Sequence, residues 1–338
     1  MNAAPLALLL AGLAAAAEPL PATVSGLKES YVSAVDRVDK TRALQALART
    51  APRDTGDVSA LYDLFMRFPD PMARRAALDS LSLSPQHPTL EPLALAALRS
   101  PEPESVFFGA HVAALARTPA ALDALTAVAS RRLAHARAED STMATERGAW
   151  WAQYEALDVL AAWRGAETLP LLRQRVGESP AVAAIMGRRL WAAAFPELRK
   201  WAGSSKAMER ARAREAARQP SEPADARAVR AGMLEAVADA KLDAEFRHQV
   251  ALKLGASSDD AEAVALAAAH DAAKTSAERL LWGAALFASG RPAAIPVLAR
   301  YAREDPDELR RRGALAQLTD MVGAEKAKAL VEEGKVVK

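Results

Sequence analysis

The side chains best suited to chemistry in this sequence are aromatic and basic rather than nucleophilic. Five of the six tryptophans, Trp150, Trp151, Trp163, Trp191 and Trp201, fall in one central region, and Tyr154 is close by. Aromatic surface anchors binding sites because it buries a large area in a few side chains. On a helix advancing about 100° per residue, Trp150 shares a stripe with Tyr154, Leu157 and Ala161 and belongs to a core, while Trp151 lies on the next face beside Asp158. Trp151, Tyr154 and Asp158 are therefore the expected binding residues. A second group, Lys206, Arg210, Arg214 and Arg218, recurs at i+4 and would lay a basic stripe along a continuous helix. Such a stripe can meet phosphates or an acidic protein. The same pattern suits a solvated linker helix balanced by Glu209 and Glu215, because no bulky apolar residue pins it to a core.

Other chemistries find no support. His87, His111, His135, His248 and His270 are scattered, and none has another His or a carboxylate at the spacing of a zinc protease or a facial triad. No metal site and no cofactor is expected. Gly-x-Ser-x-Gly and the Gly-x-x-x-x-Gly-Lys phosphate loop are both absent. The chain has no cysteine, which removes disulfides, thiolate metal sites, cysteine nucleophiles and a lipid-modified N-terminal Cys together. A formal charge of +2, with a quarter of the residues charged, describes an ordinary mixed surface and makes a nucleic-acid partner unlikely on composition. Asp259-Asp260 suits a helix N-terminus, where negative charge is favoured.

The elements that must hold these side chains are helices. Alanine is abundant, Ile occurs only at Ile185 and Ile295, and Asn only at Asn2, so strands and Asn-Gly hairpins both lack their residues. The expected class is all-α. Self-similarity organises it further. Glu245, Glu278 and Glu308 open matching segments offset by 33 and 30 residues, each running into a small pair: Val250-Ala251, Gly283-Ala284 and Gly313-Ala314. An earlier copy runs from Glu104 to Gly109-Ala110. Arg74-Arg75-Ala76-Ala77-Leu78 superimposes on Arg311-Arg312-Gly313-Ala314-Leu315, with Asp70-Pro71 and Asp305-Pro306 leading in. Pro92, Pro170 and Pro296 mark the first turn of a second helix in each copy, where a missing N–H costs nothing. Ala77, Ala156 and Ala284 would anchor close helix approach, and Leu78, Leu81, Leu157, Leu160, Leu315 and Leu318 fall on a buried stripe. A period of this length is one helical hairpin, the unit of a solenoid.

The Asp-Pro, Arg-Arg and Ala-Ala-Leu pattern, with the later Pro-x-Leu, resembles bacterial HEAT repeats of the short, phycobilisome-lyase-like kind. The resemblance covers most of residues 41–332 and weakens over 182–230. It implies an α-α superhelix, a HEAT-like solenoid of antiparallel helix pairs. The Trp, Gly and Tyr positions of tetratricopeptide repeats do not recur in register. Between Ala202 and Ala228 the sequence has no Val, Leu, Ile, Phe or Trp, and Gln219-Pro220-Ser221-Glu222-Pro223 has linker composition. The expected organisation is a signal peptide over 1–17, repeats over 26–203, a basic helix and linker over 204–223, and repeats over 224–338.

The functional expectation follows from these parts. Leu6 to Ala17 is apolar and ends in Ala15-Ala16-Ala17 before Glu18-Pro19, the pattern of a cleaved export signal, although no Lys or Arg precedes it. No later segment has the length and apolarity of a membrane span. An exported, non-enzymatic scaffold that grips a protein partner on its solenoid surface is expected, periplasmic or secreted. The alternatives are a repeat-built enzyme and a carbohydrate or cell-wall binder using Trp151. The resemblance brings in two enzymes: an alkylpurine DNA glycosylase-like protein, for which Trp151 and Asp158 would be the residues to test, and a chromophore lyase-like protein. Repeat resemblance transfers shape, not activity. N-terminal sequencing of the exported protein is expected to begin at Glu18; a cytoplasmic chain still beginning at Met1 overturns the export reading.

Overall fold

The computed structural model describes residues 20–131, 144–177, 179 and 181–333, with residues 144–147 described by backbone alone. The segment expected to be a signal peptide, and His135, lie outside the described residues. Among those described, every regular element is a helix and none is a strand.

Local sequence sets the helix starts. Asp36, Asp54, Asp70, Asp243 and Asp307 each stand just before a helix and accept a hydrogen bond from a first-turn N–H. Asp259 with Glu262, and Thr275 with Glu278, form reciprocal capping boxes. A capping side chain of this kind contributes about 1 kcal/mol. The carboxylate pair at 259–260 thus has the structural role its position suggested, as N-cap and first-turn residue.

Packing divides the chain into two compact units, with the boundary between Val159 and Leu160 inside one long helix. The first unit contains α1 (Val24–Ser33), α2 (Arg37–Leu47), α3 (Thr55–Arg67), α4 (Pro71–Ser82), α5 (Leu90–Leu98), α6 (Pro103–Ala116), α7 (Leu122–Ser130) and most of α8 (Ala144–Arg164). Hairpins α1–α2, α3–α4 and α5–α6 stack in sequence order through α1 on α3, α2 on α4 and α4 on α6. The side chain of Gln153 on α8 donates to the carbonyl of Ala129, 3.0 Å away, which ties α8 to the end of α7.

The second unit contains α9 (Leu169–Arg175), α10 (Ala181–Arg189), α11 (Trp191–Ala202), α12 (Ala207–Arg218), α13 (Pro223–Ala228), α14 (Arg230–Ala238), α15 (Ala244–Ala256), α16 (Asp260–Ala272), α17 (Ser276–Ala288), α18 (Ile295–Glu304), α19 (Glu308–Val322) and α20 (Ala324–Glu333). Its contacts again follow the chain: α11 with α12, α14 with α15, α16 with α17 and α18 with α19, joined by α10 on α12, α12 on α15 and α15 on α17. Within each unit this is the α-α superhelical arrangement expected from the repeats.

Three details differ from the sequence reading. Residues 204–223, expected as a basic helix and linker between blocks, form α12 and the turn into α13. The helix is internal to the second unit, because Ala213, Ala216 and Ala217 are fully buried against α10, α11 and α15. A helix does not need bulky side chains to be pinned when small ones let it approach closely. Second, the proline-opened helices lead their hairpins rather than close them: α5 pairs with α6 and α18 with α19, across the short links 99–102 and 305–307. Third, Leu315 is 41% exposed although the other five leucines of the expected stripe are buried. No described element stacks beyond the α19–α20 hairpin to cover it. Ala284 is likewise only half-buried, and its neighbour Ala285 takes the contact.

That contact is close. A Cβ on Gly255 would lie 1.9 Å from the carbonyl oxygen of Ala285, and one on Gly187 would lie 1.9 Å from that of Ala216. Gly187→Ala and Gly255→Ala are therefore expected to cost about 1–3 kcal/mol or more, since backbone must move. Gly313→Ala, inside α19 with open space around it, should instead gain about 0.5–1 kcal/mol from helix propensity. Urea denaturation of the three variants checks the contrast; equal effects would refute the close-contact account.

Candidate functional site

The first unit carries a groove of about 980 Å³ lined by alternate helices of the stack. Each helix presents one stripe to it. Helix α4 gives Arg74, Arg75, Leu78 and Asp79; α6 gives Glu104, Phe107 and His111 at i, i+3 and i+7; α8 gives Gly148, Trp151, Tyr154 and Glu155 at similar spacing. Phe65, at the end of α3, completes the floor.

The floor is a run of rings. Phe65 and Phe107 lie nearly parallel at 6.1 Å, and Phe107 continues onto His111 at 6.5 Å. On the facing side Trp151 stands edge-on to Tyr154 at 5.9 Å and to Trp150 at 4.6 Å. Trp150 is buried, as its stripe required, whereas Trp151 is 50% exposed. A half-exposed indole held by two ring contacts is a rigid apolar surface open to a ligand.

The charges around the rings are mostly satisfied from within. Arg74 lies over the Phe65 ring, 5.3 Å from its centroid, and its Nε donates to the Phe65 carbonyl. Arg75 grips both oxygens of Asp79 one turn on, at 2.8 and 3.1 Å. His111 Nδ1 meets Glu155 Oε1 at 3.0 Å. Glu104 is the exception: among the described residues no cation pairs with its carboxylate. The groove is thus an aromatic trough with one uncommitted negative charge.

Of the residues expected to bind, Trp151 and Tyr154 line this groove and Asp158 does not. Asp158 is buried, because two further turns of α8 carry it away from the opening; the α8 carboxylate beside Trp151 is Glu155. The basic stripe is also corrected. Lys206 meets Glu209 at 3.1 Å, and Arg210 donates to the carbonyls of Ser204 and Ser205 at 2.8 Å each. Arg214 stands 3.8 Å from both Asp243 and Glu245, and Arg218 binds Glu245 through Nε at 2.9 Å. These four cations stitch α12 to its own N-terminal turn and to α15, so they form no open cationic track. Arg310, Arg311 and Arg312, the other basic cluster, bind locally to Asp305 and Asp307, the Asp305 carbonyl and Glu308.

Phe65, Glu104, Phe107, His111 and Glu155 were not anticipated as site residues. The 104–107–111 stripe was visible as spacing, but only stacking α4, α6 and α8 shows that three stripes face one space. Among the described residues no group of three His, Cys, Asp or Glu side chains could hold a metal ion, and no helix is long and apolar enough to cross a membrane. No protein-family model matches the chain, and no curated protein matches it.

A second polar cluster lies in the last hairpins. His270 is fully buried, with Nε2 3.1 Å from the Tyr301 hydroxyl and Nδ1 3.1 Å from Asp271, which Arg300 holds at 2.8 Å. Burial pushes the imidazole below its ordinary value of 6.5, while the hydrogen bond to Asp271 opposes this in part. The unfolded chain therefore takes up a proton near pH 6.5 that the folded chain resists. Stability should be fully present above that pH and fall as pH drops below it. The urea midpoint is expected to decline between pH 7 and 5, and His270→Gln should flatten that decline; an unchanged slope in the variant would remove His270 as its source.

Proposed function

We propose that this chain is an exported, non-enzymatic HEAT-like scaffold that binds a protein partner through the groove of α4, α6 and α8. The observation that carries the reading is the half-exposed Trp151 facing the Phe65–Phe107–His111 ring floor. A trough of about 980 Å³ is large enough for several side chains of an extended segment. Its chemistry selects the segment. Asp79 and Glu155 already have partners, Arg74 is spent on Phe65, and Glu104 is left to attract a cation. The occupant we infer is a partner segment with an aromatic or large aliphatic anchor next to a Lys or Arg. Association of this kind draws its affinity from a few rings and its orientation from charge. The apolar stretch before Glu18 supports placing the protein in the periplasm or outside the cell.

The enzymatic alternatives have less support. A glycosylase-like reading needs an acidic residue beside Trp151 in a basic groove, yet Asp158 is buried elsewhere on α8 and the cations of α12 are bound to carboxylates and carbonyls. A chromophore lyase-like reading rests on repeat resemblance alone. Glycan binding remains the serious competitor, because an exposed indole flanked by carboxylates also suits a sugar face.

The test is titration of the chain from Glu18 with short Trp-Lys and Leu-Arg peptides, their Glu-substituted counterparts, and cell-wall oligosaccharides, read by tryptophan fluorescence and calorimetry. Basic peptides should bind best. Trp151→Ala should weaken them about tenfold or more, a loss of about 1.4 kcal/mol, and Glu104→Lys should remove the preference for basic residues. Trp151→Ala is expected to leave the urea midpoint nearly unchanged, since the ring is half-exposed. Binding of oligosaccharide alone would transfer the site to the glycan reading, and peptide binding indifferent to both substitutions would refute the groove.

A further inference from the structure

The second unit holds a part-buried amine with no anionic partner among the described residues. Lys253, on α15, reaches a pocket of about 320 Å³ walled by Pro220, Pro223, Leu252 and Ala256. Its Nζ donates to the carbonyl of Gln219 and to Ser221 Oγ, the latter at 3.1 Å, and stands 4.8 Å from the centroid of the Trp191 ring. All three contacts are neutral. Among the described residues no carboxylate pairs with it, and the one other charged side chain lining the pocket is Arg218, itself bound to Glu245. Lys28 and Lys206, by contrast, face the carboxylates of Asp63 and Glu209. Burying an ammonium without an anion is costly, and a Met or Leu here would cover Trp191 without that penalty.

The geometry points to Lys253 as a nucleophilic amine that condenses with small uncharged aldehydes admitted to this pocket. Its surroundings suit the step. Burial pushes the amine down to about 8 from its ordinary 10.5, so a useful fraction is neutral near pH 7 with its lone pair free. The nitrogen lone pair adds to the carbonyl carbon, and the carbonyl oxygen takes up a proton as the nitrogen gives one up, forming a carbinolamine. Loss of that oxygen as water, with the second nitrogen proton, leaves a C=N bond. Nothing is oxidised or reduced. Ser221 Oγ, already within hydrogen-bond reach of Nζ, can pass the proton to the departing hydroxyl. Pro220, Pro223, Leu252 and Ala256 give an alkyl chain an apolar contact that a charged or strongly hydrated carbonyl compound cannot use, and the pocket of about 320 Å³ suits a small aldehyde. Once the imine forms, the amine can no longer hold the Gln219 carbonyl as a full cation, so the turn between α12 and α13 loses its tie.

The experiment is reductive trapping on the whole folded chain, which requires no variant. The protein is incubated with propionaldehyde and cyanoborohydride at pH 7, and alkylation of each lysine is followed by peptide mass spectrometry. Lys200 and Lys241, both exposed, serve as internal references. With roughly two orders of magnitude more neutral amine at pH 7, Lys253 is expected to react at least about tenfold faster than either, after allowance for its lower intrinsic nucleophilicity and its narrow access. Its rate should level off above pH 8 while the reference lysines continue to rise. Labelling of Lys253 at or below the rate of Lys200, or a pH profile parallel to it, overturns the proposal. Glyoxylate in place of propionaldehyde should label Lys253 poorly, and equal labelling would overturn the assignment of an uncharged substrate.

Discussion

The structure depends on how closely one helix can lie against the next. At Gly187 and Gly255 a helix Cα meets the carbonyl oxygen of Ala216 or Ala285 with no room for a methyl group. Contacts at that range let backbone pack on backbone, with weak Cα–H···O attraction in place of interlocking large side chains. An alanine-rich helix such as α12 could not bury enough area if held at a distance. Brought this near, Ala213, Ala216 and Ala217 are sufficient. Composition that looks poor in hydrophobic content is then compatible with a dry interior, and each hairpin gains most of its burial from its neighbours in the chain.

Stacking in sequence order also explains the site. When alternate helices of a stack face the same side, residues at one helical position in each become neighbours without any sequence contact between them. Glu104–Phe107–His111 on α6 meets Trp151–Tyr154–Glu155 on α8 and Arg75–Asp79 on α4 in this way. The rings are tied to the core through Phe65 on Phe108 and Trp151 on Trp150, so the groove keeps its shape without a ligand. Preorganisation of that sort reduces the ordering cost that a binding segment must overcome.

Much of the fold was legible in the sequence because helix-specific signals are local: Asp and Thr caps, first-turn prolines and the scarcity of Ile and Asn all act within a few residues. Pairing was less legible. Pro92 and Pro296 correctly mark helix starts, but whether such a helix closes one hairpin or opens the next depends on link length and on close contacts that no short window contains. Leu315 shows the same limit, since its stripe is right and only the missing cover exposes it. For the site, the stripe rule separated Trp150 from Trp151 correctly, yet it assigned Asp158 to the exposed face because face alone ignores position along α8. For Arg214 and Arg218 the acidic partners, Asp243 and Glu245, lie a helix hairpin away in sequence, and the carbonyls that hold Arg210 are set by backbone geometry that side-chain spacing does not show.

Charge use differs between the two units, and the difference bears on which of them recognises a partner. In the second unit, arginines join helices two or three apart in the chain: Arg173 to Glu197, Arg199 to Glu235, Arg230 to Glu262 and Arg300 to Asp271, each pair within 3 Å. Exposed pairs of this kind add little stability individually. They do fix register between those helices. In the first unit's groove Arg75 and Asp79 pair along one helix and His111 meets Glu155 from α6 to α8, and Glu104 remains outside these pairs. Glu104 stands in the first turn of α6, where the helix N-terminus favours a carboxylate, but that role does not require it to face the rings of the groove. Recognition of a cation next to an apolar anchor gives that residue a role, whereas the tied charges of the second unit already have one.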